Sequence, residues 1–285
     1  QYNGGVYMGK NLNKTNLILI LIIAVSLISS VFLGLQLAIL LCLSLLLIYL
    51  IITKGYFIKV YKGMKAYKLE DYETALECYR DAAMSKYCNG PIISNYLICE
   101  LKYGKASLAR EYINENLKHK NIKPRESLNL EITKAIVLWK TNSQEEGITL
   151  LKNLIKDNKN TYIYETLTSL LIGSGKFTEA EKYITEAMDF NSDNNIIKSN
   201  YAEICFKLEK FDEAKKEFDY LIKENVNFIE PYYYSALIER KNGNCDQAFE
   251  LLRTAEGLNE SLVSLVSHKD IDQALNSVLI KSFNQ

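Results

Sequence analysis

A long uncharged run near the amino terminus constrains this chain most. From Thr15 to Thr53 there is no Asp, Glu, Lys or Arg, and nearly every residue is Leu, Ile, Val, Ala or Ser. One helix of this length would extend about 58 Å, close to twice the roughly 30 Å hydrocarbon core of a bilayer. A signal peptide has a far shorter apolar region. We therefore predict a transmembrane hairpin, residues 16–53, with helices near 16–33 and 36–53 and a tight turn at Gly34.

Charge is distributed unevenly along the chain. Residues 1–69 contain seven Lys and no acidic residue, whereas residues 70–285 contain 27 basic and 34 acidic residues. Lys residues flank both outer ends of the predicted hairpin and none marks its turn, so the positive-inside rule places both termini in the cytoplasm. The basic residues expected to lie near anionic lipid are Lys54, Lys59, Lys62 and Lys65.

The first residues of the chain do not look like part of the fold. The chain begins with Gln1, and its first methionine is Met8. Two glycine codons shortly before this methionine can spell a purine-rich ribosome-binding site. We therefore interpret residues 1–7 as translated leader, within an amino-terminal leader and cytoplasmic tail at residues 1–15.

A short motif recurs after the apolar run, with a turn, an aromatic or apolar residue, an acidic position and a small residue. It reads EDYETA at 70–75, GKFTEA at 175–180, EKFDEA at 209–214 and GNCDQA at 243–248, with weaker copies ending at 109 and 147. The small residues are Ala75, Ala109, Gly147, Ala180, Ala214 and Ala248. Their spacings are 34, 38, 33, 34 and 34 residues. Small side chains at this period indicate close crossings of paired helices.

The motif and its period resemble the tetratricopeptide repeat family over roughly residues 56–260. The resemblance implies a right-handed α-solenoid of about six helix pairs. Together with the predicted two-helix membrane anchor, it gives an all-α protein of bacterial type. We assign residues 54–260 to this repeat array. The apolar residues expected to seal its units are Tyr79, Ala82, Ile184, Ala187, Phe218, Leu221, Leu252 and Ala255.

Two segments depart from the period. Residues 121–125 occupy the longest spacing, and Pro124 favours an extended connection there. After Ala255 the period fails, so we predict that residues 261–285 form one or two capping helices, as the exposed end of a repeat array requires.

The sequence offers little material for catalysis or cofactor binding. It lacks the Gly-rich phosphate loops, the G-x-S-x-G nucleophile motif and the H-E-x-x-H zinc motif. Its six cysteines show no C-x-x-C pair, and it has only two histidines. An acidic remainder without a basic face argues against nucleic acid. We expect no enzyme activity, no cofactor, no metal and no nucleic-acid partner.

In the tetratricopeptide repeat family, the first helix of each pair lines a groove that holds a peptide partner. Carried onto this sequence, the candidate partner-binding residues are Trp139, Tyr162, Glu165, Phe206, Lys207, Tyr233, Leu237 and Arg240. Aromatic and arginine side chains of this kind are frequent interface anchors. The alternative is that several of them only pack against neighbouring helices.

These observations predict a membrane-anchored scaffold that docks a cytoplasmic protein or peptide at the inner face of a bacterial cell membrane. The alternative is a non-catalytic regulatory or assembly subunit of a membrane protein complex, such as a protease, a transferase or secretion machinery. In that case the anchor itself would contact another membrane protein, and Ser26, Ser29, Ser30 and Ser44 would supply small or polar contact points.

Overall fold

A computed structural model describes residues 14–120 and 122–283. Within these ranges the regular secondary structure is helical, and the one β contact is an isolated bridge between Phe228 and Asn259. The expectation of an all-α chain is confirmed for this part. The predicted leader and most of the amino-terminal tail lie outside the described residues.

Two apolar helices come first, α1 (Lys14–Leu33) and α2 (Leu35–Lys54). Gly34 separates them with φ 80°, a conformation that glycine adopts without steric cost. The break lies where the sequence predicts a turn, and the membrane-spanning hairpin stays a prediction. The two helices contact each other, and Ala38 of α2 is buried. Most other described side chains in both helices are exposed. Helix α2 is the one described helix that is both long and apolar enough to cross a membrane.

Six helix pairs follow, and each pairs a first with a second helix. They are α3 (Tyr56–Lys68) with α4 (Tyr72–Met84), α5 (Gly90–Tyr103) with α6 (Ala106–Glu111), α7 (Pro124–Lys140) with α8 (Gln144–Asp157), α9 (Thr161–Gly173) with α10 (Phe177–Phe190), α11 (Asn195–Lys207) with α12 (Phe211–Lys223), and α13 (Glu230–Lys241) with α14 (Cys245–Glu256). A last helix is α15 (His268–Phe283). We number the pairs 1 to 6.

The six small residues of the motif are all buried, in the second helix of each pair. Gly147 shows how close such a crossing is, because a Cβ atom there would lie 2.5 Å from the backbone oxygen of Ala135 in α7. The apolar residues predicted to seal the units are likewise buried. The predicted repeat register is therefore the register of the helix pairs.

The turn between the two helices has the same form in five pairs. A residue with positive φ lies five positions before the small residue, and the amide of the next residue donates to a carbonyl of the first helix. These turn residues are Glu70, Asn142, Gly175, Glu209 and Gly243. The bonds satisfy carbonyl groups that the helix end leaves without partners. Pair 2 lacks the positive φ at Gly104.

Pair 2 is also irregular in its second helix. Helix α6 has six residues and continues as a π turn over Tyr112–Asn116 and a 3-10 turn over Leu117–His119. Lys120 then folds back, and its ammonium donates to the backbone oxygens of Ala83 and Ser85, at 2.8 Å each, at the carboxyl-terminal end of α4. Pro124 begins α7, so of the predicted extended connection only Ile122 and Lys123 are described as non-helical, and Asn121 lies outside the described residues.

Of the one or two capping helices predicted within residues 261–285, the described residues form one, and it begins at His268. The physical reason is a reciprocal cap, because the Asp270 carboxylate accepts from the Ser267 backbone amide at 2.8 Å and the Ser267 hydroxyl accepts from the Asp270 amide at 3.3 Å. Residues 257–267 before it are not helical.

Candidate partner-binding groove

The first helices of neighbouring pairs line one groove. A cavity of about 310 Å³ is bounded by Lys102 of α5, Ile136 of α7, Tyr162 of α9 and Ile196 of α11. Tyr162 and Ile196 are 34 residues apart and occupy the same place in successive repeats. Stacking of equivalent pairs therefore brings equivalent side chains to one side of the array.

A segment of the same chain lies in this groove. Residues 258–267, here called the groove loop, connect α14 to α15. Ser261, Leu262 and Val263 line the same cavity as Tyr162, and Val263 and Leu265 pack against the core shared by α7, α9 and α11. Asn259 forms the isolated bridge with Phe228, which lies just before α13. The groove is therefore partly filled by its own chain.

Three of the sequence-predicted groove residues lie beside the groove loop. The indole of Trp139 is half-buried, donates to the Ser174 hydroxyl at 3.0 Å and packs near Gly173, where Leu265 also packs. Tyr162 is 40% exposed on the cavity wall. Glu165 accepts from the Asn194 amide at 2.7 Å, while burial raises the pKa of its carboxyl and this bond opposes the rise.

The other five lie toward the carboxyl-terminal end of the array. Phe206, Leu237 and Arg240 line a separate cavity of about 350 Å³, at the carboxyl-terminal ends of α11 and α13. The Arg240 guanidinium also donates to the Ser277 hydroxyl of α15. The Lys207 ammonium lies 5.2 Å from the ring centre of Tyr234, and Tyr233 packs edge-on against the same ring. The eight residues thus fall into two groups, one of which already contacts the closing helix.

A buried acid stands between the two groups. Glu203 of α11 is 3% exposed and accepts from the Tyr234 hydroxyl at 2.6 Å. Burial raises the pKa of Glu203 to about 7, although the Tyr234 bond and nearby Lys207 oppose the rise. The carboxyl also lines a small cavity with Val263 and Leu265 of the groove loop. Burial therefore favours the neutral form of this carboxyl on the groove wall.

Several residues that line the groove are not among those predicted from the sequence, namely Ile98, Lys102, Ile136, Ser169, Ile196 and Ser199. The repeat period contains the signal for some of them, because Ile196 follows Tyr162 by one period and Ile136 precedes Ser169 by 33 residues. The groove loop gives no such signal, since it lies beyond the last repeat.

The basic residues after α2 have different surroundings. Lys59 pairs with Asp81 of α4 at 2.5 Å, and Lys54 lies 5.8 Å from the ring centre of Phe57. Lys62 and Lys65 are exposed. The contact of these four lysines with a lipid surface therefore stays a prediction. For Lys59, the ion pair with Asp81 would compete with such a contact.

The structure offers no obvious centre for redox or metal chemistry in the residues it describes. All six cysteines are free, and burial raises the pKa values of Cys88 and Cys99 to about 11, which keeps both as neutral thiols. No group of three or more His, Cys, Asp or Glu side chains in this part of the chain is placed to hold a metal ion.

Stacked helix pairs with a groove along their first helices define a helical repeat protein. A family model described as tetratricopeptide repeat matches residues 171–237. The match supports, for residues 171–237, the tetratricopeptide repeat that the sequence motif predicts. No curated protein sequence matches the chain.

Solved structures similar to this chain include repeat proteins of different origin. A tetratricopeptide repeat protein from Parabacteroides merdae ATCC 43184 aligns with 79% of this chain and 99% of its own, at 14% identity and a TM-score of 0.49. The complex of the TPR2AB domain of yeast Sti1 with pHSP90 aligns with 79% of this chain and 98% of its own, at 19% identity and a TM-score of 0.31.

Proposed function

We propose that this chain is a membrane-anchored, non-catalytic scaffold that docks a protein or peptide partner in its groove. The observation that carries the proposal is the groove along the first helices, which combines aliphatic walls at Ile136 and Ile196 with polar side chains such as Lys102 and Glu165. Apolar contacts of this kind contribute affinity, and a polar rim contributes specificity. The two groups of predicted groove residues, around Tyr162 and around Phe206, are the proposed partner contacts.

The membrane part of the proposal rests on α1 and α2. Both helices have 20 residues, a length that can cross a bilayer, and α2 is also apolar enough to do so. Their described apolar side chains are largely exposed. Exposed apolar surface on this scale is costly in water and favourable in lipid. Two crossings with both termini in the cytoplasm, beneath a bacterial cell membrane, agree with the lysines that flank the pair.

Affinity purification from mild detergent tests the scaffold. The full chain, a chain without residues 8–55 and a full chain carrying Tyr162→Ala and Phe206→Ala are compared. Docking in the groove predicts that the same partner is retained by the first two proteins and lost from the third. Loss of the partner with residues 8–55 alone would instead favour an assembly subunit that acts through its anchor.

Topology is tested with a reporter fused after Gln285. Alkaline phosphatase, which is active only outside the cytoplasm, should stay inactive there, whereas a fluorescent protein that folds in the cytoplasm should be bright. Strong phosphatase activity would contradict two crossings with cytoplasmic termini.

A further inference from the structure

The groove loop buries apolar side chains that a surface turn would leave in water. Leu262, Val263 and Leu265 are half-buried, and Val266 is 2% exposed. The hydrophilic residues Asn259, Glu260 and Ser261 are exposed. The loop is therefore amphipathic, and its aliphatic residues face the groove rather than the solvent.

The base of the loop is fixed independently of its tip. His268 lies 3.1 Å from the backbone oxygen of Leu258 and 3.7 Å from the Glu260 carboxylate. Val266 belongs to the core of pairs 5 and 6, and the Ser267 cap fixes the start of α15. The start of α15 is thus fixed by contacts that lie outside the tip, residues 261–265.

The tip itself rests on the groove through apolar contact. Its hydrogen bonds are internal, as between the Val263 amide and the Ser261 hydroxyl at 3.2 Å. Among the described residues, none joins residues 261–265 to a helix. Apolar contact has no required direction, so another aliphatic segment can replace the tip without leaving buried polar groups unpaired.

The groove beneath the tip selects for a particular chemistry. Ile98, Ile136 and Ile196 present aliphatic surface to Leu262 and Val263. A Cβ atom on Gly173 would lie 2.6 Å from the Leu265 side chain. The absence of a side chain at Gly173 therefore leaves the space that this leucine occupies. On one side of the tip, a cavity of about 600 Å³ extends to Tyr67 and Lys140.

We propose that the groove loop is a built-in occupant of the groove, and that the partner displaces it with a segment that presents aliphatic side chains in the pattern Leu-Val-x-Leu. This inference rests on the proposed function of the groove as a docking site. The loop is a competitor at high effective concentration, since it is tethered at both ends beside its seat. The loop sequence also indicates which side chains the partner segment presents to the groove.

The test uses the full chain in phospholipid nanodiscs, since detergent would compete for an apolar groove. The probe is a fluorescent peptide with the sequence of residues 259–267, and its binding is followed by fluorescence anisotropy. The double substitution Leu262→Ser and Leu265→Ser weakens the contact of the groove loop with the groove. It should therefore tighten binding of the peptide on the order of tenfold or more. The matched control Lys269→Gln, exposed and just beyond the loop, should leave the affinity unchanged.

Hydrogen exchange on the unaltered chain provides a measurement that does not depend on the folding of a variant. Excess peptide should speed exchange of the Val263 and Ser264 amides, which donate to Ser261 within the tip, while a peptide with serine at both leucine positions should not. Equal affinity of the double variant and the control, or binding that leaves exchange of the tip unchanged, would overturn the proposal. A partner retained through Tyr162 and Phe206 in purification would then still support the docking function, so the two failures are distinguishable.

Discussion

Pairs 2 and 5 both bury a glutamate in their first helix, but the two carboxylates have opposite surroundings. Glu100 of pair 2 is fully buried and accepts from the Arg80 guanidinium at 2.7 Å and from the Lys105 amide at 3.1 Å. Glu203 of pair 5 has the Tyr234 hydroxyl as its hydrogen-bond donor. Burial raises the pKa of Glu203 to about 7.

The difference explains why pair 2 departs from the motif. In the other five pairs, the amide at the position of Lys105 donates to a backbone carbonyl, whereas in pair 2 it donates to the side chain of Glu100. The carboxylate takes the space beside Gly104, where a Cβ atom would lie 2.1 Å from its Oε2. A weak sequence match here therefore marks a different way to end the first helix rather than an absent repeat.

The largest expected effect comes from removing Arg80. The substitution Arg80→Ala leaves the buried Glu100 carboxylate without its counterion, which should lower the free energy of unfolding by about 3–5 kcal/mol. Urea denaturation of residues 56–285 measures this change. Lys176→Ala breaks a surface ion pair with Glu145 of 2.6 Å and should cost less than about 1 kcal/mol. Equal losses in the two variants would contradict the contrast between buried and surface pairs.

The raised pKa of Glu203 predicts that the stability of the protein depends on pH. Because the pKa of Glu203 is raised on folding, its protonated form contributes stability that is complete below the unfolded pKa and is lost as pH rises toward 7. From pH 5 to pH 8 the free energy of unfolding should fall by about 2–3 kcal/mol through this group. Glu203→Gln should remove that fall, as measured by urea denaturation at both pH values. The same fall in the variant would assign it to other groups.

The turn of pair 2 offers a smaller contrast. Gly104→Ala forces the Glu100 carboxylate away from the Lys105 amide and should cost about 1–3 kcal/mol. Gly175→Asn is the matched control, because a Cβ atom there has no neighbour within 4 Å and asparagine already occupies the equivalent turn of pair 3 with positive φ. The control should lose less than about 1 kcal/mol. Thermal unfolding of both variants measures the difference.

The sequence predicts the structural features that recur in every repeat, but not the contacts that occur only once in the chain. Ala180, Ala214 and Ala248 identify the helix crossings because close packing of every pair imposes the same small residue at the same period. Tyr162 lies on the groove wall for the same reason. The groove loop could not be found in this way, because Leu262 and Val263 read as part of a helix until their burial in the groove is seen. Arg240 contacts α15 through Ser277, a pairing that no period contains.

The most direct test of the account is a denaturation measurement on the repeat register, since every groove assignment depends on it. Ala214 is fully buried at the crossing of α11 and α12, so Ala214→Leu should overpack the core and lower the free energy of unfolding by about 1–3 kcal/mol or more. The neighbouring change Glu213→Gln, at an exposed side chain, should stay within about 0.5 kcal/mol. Unchanged midpoints for Ala214→Leu and for the equivalent changes at Ala180 and Ala248 would contradict the register, and the groove with it.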